Sequence, residues 1–114
     1  MKKIMYLFEY FCSPIWLYET PNDMSRVKNV NVDALPISQD LKNEIRALDF
    51  IYQLTYNDDY PAEPIKLSKE EELIFCKRVI ESEKKLYDEL INKYQIVFDK
   101  DMWKRKIEEL QNFN

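Results

Sequence analysis

Ser68 opens the element that most restricts this chain. Ser68-Lys69-Glu70-Glu71 fits a capping box, in which the serine hydroxyl and the Glu71 carboxylate each take one of the orphan N–H groups at a helix start. Leu73, Cys76, Ile80, Tyr87, Leu90 and Tyr94 then recur on one face, widened by Phe75, Val79 and Leu86. The spacing predicts a helix over 69–93 whose apolar face must be buried against the rest of the chain. Lys77, Arg78, Glu81, Lys84, Lys85, Asp88 and Glu89 form a mixed-charge outer face to which no chemistry is assigned.

A second helix is expected before it. Ser38 is a suitable N-cap, Asp40 meets the positive end of the dipole, and Leu41, Ile45, Leu48, Tyr52 and Tyr56 recur at helical steps with Ile51 beside them. Lys42, Glu44, Arg46, Asp49 and Gln53 read as its solvated side. Asn57, Asp58, Asp59, Tyr60 and Pro61 stop it. Two aspartates at a helix C-terminus oppose the dipole, and residues set against local preference point to a use elsewhere, although Asn and Asp also form turns readily. Pro61-Ala62-Glu63-Pro64 makes a stiff link toward Ser68.

The remaining segments are shorter. Aromatic enrichment before Pro14 predicts a strand over 3–11, then a turn and a short apolar segment at 15–18. Residues 19–37 are dense in Pro, Asn and Asp and read as an irregular connector, with a short strand an option around Val27–Val32. Gln95-Ile96-Val97-Phe98-Asp99 is β-prone and can pair with the N-terminal strand; Asp101 is expected to cap a last helix over 102–112, with Met102, Trp103, Ile107 and Leu110 inward. The expectation is a mainly α fold with a minor β part. About three helices, the two long ones antiparallel, would pack with a two- or three-stranded element from the N-terminus and 95–99. At 114 residues this is a single domain, 1–114.

Composition removes whole classes of chemistry. The chain has no His and no Gly, so it lacks the usual neutral-pH proton carrier and metal ligand, and also the glycine fingerprints that admit a phosphate to the backbone. Cys12 and Cys76 form no metal-like cluster and read as reduced core residues, although a disulfide between them stays open. Cys76 falls on an apolar stripe, and Cys12 has no histidine to activate it, so no catalytic residue is assigned. Asp58, Asp59 and Glu63 match no calcium loop, so no metal and no cofactor is assigned either.

Lys2 and Lys3 before an apolar run imitate a signal peptide, but Glu9 and Tyr10 interrupt it and no cleavage site follows. No membrane span is expected, and the chain reads as unprocessed, soluble and cytoplasmic. Its net charge is −4. That sign argues against direct nucleic-acid binding and makes a basic partner the natural complement.

The acidic groups fall close together in sequence. Asp58, Asp59 and Glu63 are joined to Glu70 and Glu71 by the short proline-braced link, with Tyr56 and Tyr60 between them. One negative patch of this kind suits a basic protein, the carboxylates steering it and the rings anchoring it. The competing reading is plain solvated surface. Carboxylates at 70–72 also have a structural reason to be there, through the helix dipole.

Leu35-Pro36-Ile37-Ser38, then Leu41, Ile45, Leu48-Asp49, Tyr52 and Tyr56-Asn57-Asp58-Asp59-Tyr60-Pro61 resemble small bacterial immunity proteins of contact-dependent growth inhibition and related polymorphic-toxin systems. Ser13-Pro14-Ile15-Trp16 is similar too, and the likeness covers about the first 60 residues plus the long capped helix. The resemblance implies a cytosolic, non-enzymatic inhibitor, more naturally a monomer than a homo-oligomer, that binds a toxin domain delivered by a neighbouring cell, often a nuclease. Asp58, Asp59, Glu63, Glu70 and Glu71 would then be ionic contacts in a basic groove, with Tyr56 and Tyr60 as anchors. The alternative is a helical structural or regulatory module that dimerises through Trp16 and Trp103.

Overall fold

The structure, a computed structural model, describes residues 1–20, 22–98 and 100–112. In chain order the elements are β1 (Lys2–Tyr6), β2 (Ile15–Tyr18), β3 (Val27–Val30), α1 (Gln39–Leu54), α2 (Lys69–Leu90), β4 (Tyr94–Val97) and α3 (Lys100–Asn112). The strands form one four-stranded sheet in the order β3-β2-β1-β4. Both hairpin pairings are antiparallel, while β4 returns parallel to β1. With three helices on a four-stranded mixed sheet, this is an α+β fold, which corrects the expected mainly α domain with a minor strand element.

Two short segments make the difference. Residues 15–18, expected as an apolar segment, are β2 inside the sheet, and the optional strand becomes β3 at its edge. Four-residue strands are too short to show a period, and side-chain clasps fix them instead. The Ser13 N–H donates to Asn29 Oδ1 at 2.9 Å, Asn29 Nδ2 donates to the carbonyls of Ser13 and Ile15 at 2.7 and 3.2 Å, and Ser13 Oγ donates to Val30 O at 2.6 Å. Asn29, a turn former by type, thus holds two strands together. β1 stops at Tyr6 rather than running to residue 11, because after the Leu7 N–H donates to Pro14 O at 2.9 Å the chain turns back.

Ile4 pairs with Leu17 and Ile96, and Tyr6 with Ile15, so these residues share the inner face. There they meet Leu41, Ile45 and Leu48 of α1 and Phe75, Cys76, Val79, Leu86 and Leu90 of α2 in one core. The other face carries Lys3, Met5, Trp16, Tyr18, Val27 and Val97; Tyr18 is buried there beneath the Lys3 ammonium, 4.2 Å from its ring centroid.

The buried stripe of α2 is rotated from the expected one. Tyr87 is exposed, and Ser82 and Glu83 are buried in its place. Ser82 belongs inside because its hydroxyl donates to Val79 O at 2.7 Å and shares a 2.9 Å hydrogen bond with the Tyr6 hydroxyl. Burial pushes the Tyr6 phenol far above its ordinary value, so it stays a neutral partner.

α1 and α2 run in opposite directions: Ser38 at the start of α1 bonds Glu89 near the end of α2, and Glu44 meets Arg78 farther in. α3 begins at Lys100, which puts Asp101 inside its first turn rather than at the cap. Trp103 of α3 is buried, its ring 6.1 Å from Phe8 and 5.7 Å from Phe75. Among the described residues no helix is long and apolar enough to cross a membrane.

Candidate functional site

Past the C-terminus of α1 the chain makes a closed loop, because the Ile65 N–H donates to Thr55 O at 2.8 Å. Asn57 organises what lies between. Its Oδ1 accepts from the N–H groups of Asp59 and Tyr60, both at 3.1 Å, and its Nδ2 donates to Glu63 O at 3.1 Å. The Glu63 N–H donates to Tyr60 O at 3.0 Å, so the backbone is tied at both ends. The side chains of Asp58, Asp59, Tyr60 and Glu63 are left exposed around it.

A second turn lies against the same end of α1. Gln53 is its brace: Oε1 accepts from the Phe11 N–H at 2.9 Å, and Nε2 donates to the carbonyls of Glu9 and Cys12 at 3.0 and 3.4 Å. The Gln53 amide also donates to Asp49 Oδ1 at 3.0 Å. Partial burial raises the Asp49 carboxyl above the usual range, with the Gln53 bond opposing. Tyr10 stacks on Tyr52 at 4.8 Å between centroids, and its hydroxyl meets Thr55 Oγ1 at 2.8 Å. The aromatic series continues inward through Phe8 to Trp103 and outward through Tyr56 to Phe11.

The seven residues singled out in the sequence divide into three groups. Asp58, Asp59, Tyr60 and Glu63 sit together on the Asn57 loop. Tyr56 is half-buried, its ring packed edge-on against Tyr10 and Phe11, and so supports the loop more than it faces outward. Glu71 is engaged in the capping box: the Ser68 hydroxyl and then the Ser68 N–H, which reaches Oε1 at 3.2 Å, hold its carboxyl below the usual range. Glu70 stands exposed beside it in the first turn of α2.

Three exposed residues on this end escaped the sequence reading. Phe11 is exposed and has φ 64°, a left-handed backbone that is uncommon for a residue with a large side chain. Phe50 and Leu54 lie one turn apart on the outer side of α1, both exposed. The last two were legible, since neither belongs to the stripe of Leu41, Ile45 and Leu48. Phe11 gave no signal, because its conformation is set by Gln53, 42 positions away.

A groove of about 550 Å³ runs beneath the link, between Tyr10, Tyr52, Leu67, Cys76, Trp103 and Lys106. Burial raises the Cys76 thiol, which keeps it protonated and poorly nucleophilic. Both cysteines are free, Cys12 half-buried at the 9–12 turn rather than in the core. Among the described residues no group of three or more acidic or cysteine side chains is gathered that could hold a metal. Buried Trp103 cannot join Trp16 in a surface patch, which removes the proposed basis for a homodimer.

Rings and carboxylates on two braced turns offer contact surface at this end of α1. A family model described as Serratia CdiI immunity protein-like matches residues 2–101 of the chain. The chain belongs to that family of immunity proteins, as the resemblance carried by its 35–61 segment implied, and membership makes a cognate toxin its partner and inhibition its role. No curated protein matches it.

Proposed function

We propose that this immunity protein acts in the cytoplasm as a monomer and neutralises a nuclease toxin by laying the 57–63 loop into a basic groove that would otherwise hold nucleic-acid phosphates. Asp58, Asp59 and Glu63 supply charge in place of phosphate, Tyr60 packs as an anchor with Tyr56 behind it, and Glu70 and Glu71 extend the negative surface. One observation carries the reading. Glu19, Asp33 and Glu44 are each matched by a Lys or Arg of this chain, whereas no ion pair engages Asp58, Asp59 or Glu63 among the described residues.

The test is co-purification with the cognate toxin domain, followed by binding kinetics at low and high salt. Asp58→Lys with Asp59→Lys slows association and flattens its salt dependence, because carboxylate steering is long-ranged and screened. An unchanged association rate and salt response in that variant would remove the loop from the interface.

A further inference from the structure

We draw no further inference here: the strongest candidate, the aromatic-walled groove between the 64–67 link, α2 and α3, is lined by Lys66, Lys69 and Lys106 as well as by Glu72 and Glu109, so its charge specifies no occupant and nothing in the structure shows what covers it.

Discussion

At the N-terminal end of α1, Ser38 receives Leu41 N–H on its hydroxyl at 3.3 Å, and its own N–H and hydroxyl both donate to Glu89, at 2.6 and 2.9 Å. Arg46 turns to Asp33, and Arg78 grips Glu44 with two nitrogens at 3.0 and 2.5 Å. At the C-terminal end the bonds are different in kind. Gln53 and Asn57 hold backbone, and the side chains they position, Phe11, Asp58, Asp59 and Tyr60, face outward. One end of the helix matches its polar groups within the chain and so assembles the domain; the other fixes backbone and leaves side chains exposed. Substitutions at the two ends should therefore separate stability from binding.

The largest effect expected is on stability. Ile45 is fully buried at the middle of α1, and Ile45→Ala should lower unfolding free energy by about 2–5 kcal/mol through lost burial and the cavity left behind. Urea unfolding measures it. Toxin affinity per folded molecule should not change, and a loss of affinity in the folded fraction would mean that the two ends are mechanically coupled.

Ser38→Ala comes next. It removes the cap and one of two bonds to Glu89, and should cost about 1 kcal/mol without affecting toxin binding. Gln53→Ala is its counterpart at the other end. The groups it abandons are solvent-accessible or partly so, which keeps the stability loss near about 1 kcal/mol. Its signature is local: amide exchange at residues 9–12 should accelerate, and toxin should dissociate faster. Slow exchange at the turn in this variant would show that the Tyr10 stack holds it without Gln53.

How much of this was readable beforehand follows from how far each determinant lies along the chain. Both caps were legible because Ser38 and Ser68 act on N–H groups three positions away. The β part was underestimated because β2 and β3 have four residues each, and because β1 meets β4 across a separation that no local pattern records. The aromatic series from Trp103 to Phe11 likewise joins α3, the 7–14 turn and α1. Asp58, Asp59 and Glu63 stood out as a composition, but the residue that shapes their loop, Asn57, read only as a helix stop. Gln53 read as solvated surface, since nothing nearby in sequence says that it faces Glu9, Phe11 and Cys12.

The smallest effect is a difference in pH response between the two halves of α1. The Arg78 hydrogen bond holds Glu44 below the usual carboxyl range, whereas partial burial lifts Asp49 above it. For Glu44 the folded pKa is depressed. Its contribution is complete above the unfolded value of about 4.3 and is lost as pH falls through the folded one. For Asp49 the sign reverses: the folded state holds the proton more tightly, so acidification through the folded pKa relieves a penalty present at neutral pH. As pH falls Asp49 therefore acts first, its penalty relieved above about pH 4, and Glu44 loses its contribution only below that, so the two groups move stability in opposite directions in succession. Glu44→Gln should make the acid limb shallower, and Asp49→Asn should make it steeper while leaving the neutral-pH value equal or higher. Both are near-surface groups, so each change should stay under about 1 kcal/mol and is best read as a shift in urea midpoint at matched pH values. If the two variants moved the acid limb in the same direction, the division between a self-matched and an outward-facing half of α1 would not extend to its carboxylates.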